Sequence, residues 1–328
     1  MPHSSSPTAA TVVRFDSSVD AIVPAHLRAE RIATGFLFTE GPIYFREGYL
    51  LFSDIPGNVM RRWTPTEGIT EFRRPSGYDK DDAPAGAFIG SNGMTIDPQG
   101  RLTICEHGNH RVTRLEPDGS LTVLADRYDG KRLNSPNDII YKSNGVIYFT
   151  DPPYGLVDQD DDPKKELPFN GIFRLDPDGT LTLLDKSLTR PNGLAFSPDE
   201  RYLYVSNSDG NARIWKRFEV TADGRLASGQ LFADVTPEPA PGDPDGLKID
   251  VAGNLYGTGP GGIWIFSPDG KRLGRIELPE IPANLHWGKW ATNDADAALG
   301  PDEPATTLYV TAQTSVYRIE LKIPGIRP

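Results

Sequence analysis

The sequence predicts an all-β fold, a single six-bladed β-propeller, on three observations. The chain of 328 residues carries 33 glycines and 30 prolines, about a fifth of its length against a usual ~12%. That much turn chemistry leaves little room for long helices, and helical periodicity is nearly absent apart from a turn or two within Val19–Arg31. A strand–turn–strand unit recurs as GPIYFREGYLLFSD, GMTIDPQGRLTICE, DIIYKSNGVIYFTD, GLAFSPDERYLYVSN and GLKIDVAGNLYGTG. The alternating apolar positions mark each as a β-hairpin. These units start at Gly41, Gly93, Asp138, Gly193 and Gly246, with gaps of 52, 45, 55 and 53 residues. A period of ~40–50 residues holding about four strands is the pitch of a propeller blade. A sixth copy, TTLYVTAQTSVYRIEL, closes the chain after an irregular insert around Asn293–Glu303.

Between these hairpins lies a second unit, an apolar run after a D-P-x-G-like turn. It reads RLEPDGS then LTVLADR, RLDPDG then TLTLLDK, and FSPDG then KRLGRIEL. Length alone would allow two domains, but one all-β domain often exceeds 250 residues, and the unbroken repeat favours one domain over residues 11–328. Residues 1–10 are expected to be a disordered tail. An N-terminal strand is expected to complete the last blade and remove a free edge.

Composition bounds the function. With 34 basic against 45 acidic residues, net charge is −11, which disfavours nucleic acid and acidic membrane surfaces as partners and suits a bound cation. The lone cysteine, Cys105, allows no intrachain disulfide and reads as a buried small apolar residue. MPHSSSPTAATVVRFDSS lacks the pattern of a secretory signal, and no run approaches ~18 apolar residues. A soluble, cytoplasmic protein is expected. There is no G-x-S-x-G, H-E-x-x-H or P-loop string, so a serine hydrolase, a zincin and a nucleotide-binding enzyme lose support.

The chemistry is carried by the residue just before each hairpin's first strand. The strings are TEGP with Glu40, SNGM with Asn92, SPND with Asn137, RPNG with Asn192 and DPDG with Asp245. Singly, each is an ordinary turn signal. In a propeller, equivalent positions of successive blades form a ring, so these five side chains converge on the axis. Carboxylates and amides facing each other in a narrow channel are costly unless compensated, and a hard cation compensates them. Two carboxylates and neutral amide oxygens, without Cys or His, favour Ca²⁺, with Mg²⁺, Mn²⁺ or Zn²⁺ as alternatives. On this pattern Glu40, Asn137, Asn192 and Asp245 are the metal ligands, and Asn92 is a second-layer or substrate contact.

These strings, with FTDPPYGL beside PNGLAFSPD, resemble the senescence-marker-protein / gluconolactonase / luciferin-regenerating-enzyme family over about residues 15–320. The resemblance implies a six-bladed propeller with a divalent metal in its central channel, and hydrolysis of sugar lactones. It makes Glu40, Asn192 and Asp245 metal ligands. Asn137 is a further ligand or a substrate contact, and Asp245 is the general base or nucleophile. Asn92 and the CEHGNHR string match parts lining the pocket. One departure stands out: ANLHWGKWATNDADAALGPDEP replaces a Cys/Phe/Gly-Gly string of many bacterial relatives. His286, Trp287 and Trp290 in that stretch are expected to lie over the channel mouth, with His286 and Trp287 contacting substrate; the alternative is that both tryptophans pack the blade-to-blade interface.

Single residues keep two readings. His107 is a substrate contact or a structural histidine at a hairpin turn, and His110 likewise. Tyr154 of DPPYG is a pocket wall or a packed turn ring. Arg111 reads as a surface ion pair, and the acidic run Asp158–Lys165 as a solvated loop lacking the Gly and Glu of an EF-hand. The reaction expected is metal-assisted opening of a lactone by water, with Asp245 as base and with Asn92, Asn137 and His107 orienting the ring. Two other classes stay open: a hydrolase of another ester, phosphotriester or non-sugar lactone, and a non-catalytic calcium-binding propeller.

Overall fold

Six antiparallel sheets radiate from one axis in the computed structural model, which describes residues 6–326. Each sheet is a meander whose first strand lies innermost. Blade 1 runs Thr39–Phe45, Tyr49–Asp54, Val59–Thr64 and Gly68–Arg73. Blade 2 begins at Ser91–Ile96, blade 3 at Ile139–Tyr141, blade 4 at Pro191–Phe196, blade 5 at Leu247–Ile249 and blade 6 at Pro282–Gly288.

The ring closes through the N-terminal segment, as the edge argument predicts. Ala29–Thr34 pairs with Ser315–Glu320 as the fourth strand of blade 6, and the buried Arg318 guanidinium meets Glu30 at 2.6 Å across that seam. Thr11–Arg14 adds a fifth strand to blade 5. Part of the tail expected over residues 1–10 is therefore ordered: Ser6–Pro7 pairs with Arg31 and Glu30. Residues 1–5 lie outside the described residues. The turn expected near Val19 is a 3₁₀ segment, Ser17–Ala21, whose N-cap Asp16 accepts from the Ser18 amide.

No single core fills the molecule. Apolar side chains pack between neighbouring blades, because each sheet has two faces to cover and no helix layer to cover them. Ile43, Met60, Met94 and Ile104 join blades 1 and 2. Tyr148, Leu194, Val205 and Phe218 join blades 3 and 4. Each large side chain so buried contributes roughly 1.5–3 kcal/mol. Among the described residues no helix is long and apolar enough to cross a membrane.

The six innermost strands all run the same way along the channel. Their starts gather at one end and their finishes at the other, and this geometry decides what can meet.

Candidate functional site

All five residues singled out before the hairpins come to the starting end of the channel. For Glu40, Asn92 and Asn192, β-bulges explain how. The innermost strand slips register between Glu40 and Ile43, Ser91 and Met94, Pro191 and Leu194, and Pro282 and Asn284. A bulge re-aims a side chain out of the regular pleat, here toward the axis. The backbone is then tied across blades by hydroxyls on second strands. Ser53 donates to the Asn92 carbonyl at 3.0 Å, Thr150 to that of Asn192 at 2.7 Å, and Ser206 to that of Asp245 at 2.6 Å. The inner strands approach so closely that Gly41, at φ +51°, admits no side chain: a Cβ there would lie 2.0 Å from the Asn92 carbonyl oxygen.

The sixth member of the ring was missed in the sequence. Asn284 begins the innermost strand of blade 6 and donates through Nδ2 to Glu40 Oε2 at 3.0 Å. The PAN string carries the same proline-then-amide signal as SPN and RPN. The TTLYVTAQ hairpin that follows carries the clearer repeat signal and masks it.

Glu40 is 3% exposed. Its Oε2 accepts from both the Gly41 amide and Asn284. Burial pushes its carboxyl up to about 7, against the pull of the Gly41 hydrogen bond. Asp245 is only partly buried by surface, yet it lies deep enough that desolvation, then Glu40 and Asp138, hold it well above the ordinary carboxylate range. Asn192 donates Nδ2 to Ser208 Oγ at 3.0 Å, and Asn92 directs Nδ2 to His107 Nε2 at 3.0 Å. In both, the amide oxygen is left buried with no hydrogen-bond partner among the described residues. Buried amide oxygens are seldom unpaired. Two of them beside two carboxylates form a donor set suited to a hard cation, so the residues fit a Ca²⁺-like ion. Among the described residues no cluster of three or more His, Cys, Asp or Glu could hold a metal; a site here depends on the amide oxygens.

Three expectations need correction. His107 is fully buried behind Asn92, so it orients that amide rather than touching substrate. His286 and Trp287 sit two and three residues beyond Asn284, about 7–10 Å further along the strand, toward the opposite end of the channel. There they line a separate cavity of about 700 Å³ with Tyr44, Lys248 and Leu299. The insert that follows packs on the same far end: Leu299 N–H donates to the Arg46 carbonyl, and Ala297 accepts from the Tyr44 hydroxyl. It does not cover the mouth at the Glu40 end. Trp290 is clasped between Arg28 and Arg318, 3.8 and 4.2 Å from its ring.

The remaining residues fall into place more simply. Tyr154 is half-buried with its hydroxyl on the Ser208 carbonyl at 3.3 Å, close enough to Asp245 for that charge to help raise its pKa. His110 holds the Asn134 carbonyl, Arg111 pairs with Glu106 and Asp79, and Cys105 is buried. Just ahead of Glu40 and Asn92, Phe38 and Phe88 meet with their rings 5.1 Å apart, and Leu37 beside Phe38 is 64% exposed. Both segments lead directly into the strands that carry Glu40 and Asn92.

The chain belongs to the SMP-30/gluconolactonase/LRE-like family, which matches residues 38–319. It is 40% identical over 327 residues to a gluconolactonase of Zymomonas mobilis, covering 97% of this chain and 88% of the relative. It is 28% identical to a pentonolactonase of Haloferax volcanii, covering 87% and 91%. The solved gluconolactonase of Xanthomonas campestris superposes with a TM-score of 0.80 at 31% identity, covering 98% of both chains.

Proposed function

We propose that this chain is a divalent-metal-dependent lactonase that opens sugar lactones. The observation that carries the reading is the channel ring itself, with its two raised carboxyls and, among the ligand candidates, the unpartnered buried amide oxygen of Asn192; the gluconolactonase and pentonolactonase relatives support the substrate class. Glu40, Asn137, Asn192 and Asp245 would hold the ion, Ca²⁺ by donor chemistry. Such an ion, when bound, polarises a carbonyl and stabilises developing oxyanion charge. The protein's own groups do the rest. Glu40, fixed from two sides, anchors the ring. Asp245, only partly buried, takes the proton of the attacking water and returns it to the ring oxygen as the ring C–O bond breaks. Asn92 and Asn137 present neutral amides to a hydroxyl-rich, uncharged ring, and Tyr154 walls the pocket beside Asp245. A panel of lactones, esters and phosphotriesters assayed with and without added metal tests the reading. Lactone turnover that is abolished by chelation and restored by Ca²⁺ is expected; turnover indifferent to chelation refutes it.

The raised carboxyls predict a pH signature. A group held near 7 is largely protonated at pH 6, and cation binding requires it ionised, so binding releases protons. Apparent Ca²⁺ affinity should rise from about pH 5 to 8 and then level off. In the metal-free protein the same shift acts on stability with the opposite sense. The folded chain keeps protons that the unfolded chain releases above about 4.5, so stability from Glu40 is full below that pH and is lost as pH rises through about 7. Calorimetry in two buffers of different ionisation heat measures the proton release; zero release at pH 6 contradicts it.

Phe38 and Phe88 predict specificity. Flat apolar rings suit the carbon face of a sugar. Phe88→Ala should raise KM severalfold for a bulky lactone and leave kcat within about twofold. An unchanged KM across small and bulky lactones removes Phe88 from the binding surface.

A further inference from the structure

One place below the ring the blades differ in a telling way. The residue after each site position is glycine in blades 1, 2, 4 and 5, and aspartate, Asp138, in blade 3. Glycine is enforced by crowding: a Cβ on Gly193 would lie 2.4 Å from the Asp245 carbonyl oxygen. Asp138 Oδ1 accepts from the Ile139 amide at 2.9 Å. Its Oδ2 is buried without a hydrogen-bond partner among the described residues. The charge that faces it is Lys248 Nζ, 4.0 Å away, which also donates to the Leu247 carbonyl at 3.0 Å. Lys248 follows Asp245 by three residues, and the matching places in blades 2, 3 and 4 hold the uncharged Thr95, Ile140 and Ala195.

The channel therefore contains three mutually interacting carboxylates, Glu40, Asp138 and Asp245, and one ammonium within their reach. Once all three are ionised, as cation binding requires, three negative charges against one positive leave a deficit of two, the charge of a single divalent ion. We propose that Lys248 is the site's built-in counter-ion: held opposite Asp138, it offsets part of the buried negative charge in the metal-free fold and weakens the divalent affinity that three bare carboxylates would have. The proposal rests on the metal reading above and concerns a residue outside the ligand set. Charge repulsion between an ammonium and a nearby divalent ion is strong at the effective dielectric of a protein interior. Removing the ammonium should then tighten metal binding, the reverse of what loss of a merely structural lysine would do.

Calcium titration calorimetry, together with thermal melts in EDTA and in saturating Ca²⁺, tests this on Lys248→Met. The expected result is a lower melting temperature in EDTA, Ca²⁺ affinity at least tenfold higher, and a larger calcium-induced shift than in the parent. Asp138→Asn should weaken Ca²⁺ at least tenfold. The double variant, which restores the charge balance, should return to within about threefold of the parent affinity. Lys248→Gln repeats the measurement if the methionine variant does not fold. Unchanged or weaker Ca²⁺ binding in a folded Lys248 variant overturns the counter-ion role while leaving the metal reading intact. A parent protein that binds no Ca²⁺, Mg²⁺ or Mn²⁺ overturns the metal reading, and this proposal with it.

Discussion

Asp245→Asn, assayed at saturating metal, should turn over a sugar lactone roughly 10²–10⁴-fold more slowly than the parent chain, the usual worth of a positioned general base. Glu40→Gln is the control, since both changes remove one charge from the ring and both weaken metal binding. Their surroundings separate them. Glu40 is almost wholly buried, with Oε2 engaged by the Gly41 amide and the Asn284 side chain, which makes it an anchor. Asp245 keeps a partly open face, so a water can reach its carboxylate, which is what a positioned base requires. Excess metal should therefore restore most activity to Glu40→Gln and little to Asp245→Asn. Full recovery of the Asp245 variant by added metal would remove its role as base and leave it a ligand alone.

Trp287→Ala should have the largest effect on stability, about 3–5 kcal/mol, with lactone preference unchanged. Trp287 is 2% exposed. Its ring meets Tyr256 edge-on at 5.1 Å, bridging blades 5 and 6, and Gly325 lies against it so closely that a Cβ there would overlap the indole. Alanine would open a cavity at a seam that the neighbouring sheets cannot close. The measurement is a denaturant titration beside a two-substrate assay. A shifted ratio of kcat/KM between small and bulky lactones, with little loss of stability, would return Trp287 to the channel mouth.

The reading of Trp287 as a rim residue shows where sequence reasoning stopped. HWGKW is aromatic and precedes both an acidic insert and the clearest last hairpin, all consistent with a loop over a site. The deciding quantity was its offset from Asn284. Three residues of extended strand span about 10 Å, most of the way through a blade, and Asn284 had not been recognised as the start of that strand. His107 failed for a different reason. Its proximity to the site is real, but one hydrogen bond to Asn92 places it behind the ring rather than within it, and no spacing in EHGNHR encodes that. Lys248 and Asp138 were invisible because each is unremarkable in its own hairpin and acquires meaning only opposite the other.

What the sequence by itself determined was everything set by short-range pattern: the β class, the blade pitch, the hairpins, and the oxygen-bearing residue before each of five inner strands. Alternation and turn chemistry act over a few residues and repeat, so they are legible one blade at a time. The tertiary structure alone decided which end of the channel each residue faces, which N-terminal strand closes blade 6, and that Asn284 completes the ring. The Glu40–Asn284 hydrogen bond joins residues 244 positions apart. Such contacts arise only when six sheets, each needing a neighbour to cover its apolar faces, pack into a closed circle and bring the first blade against the last.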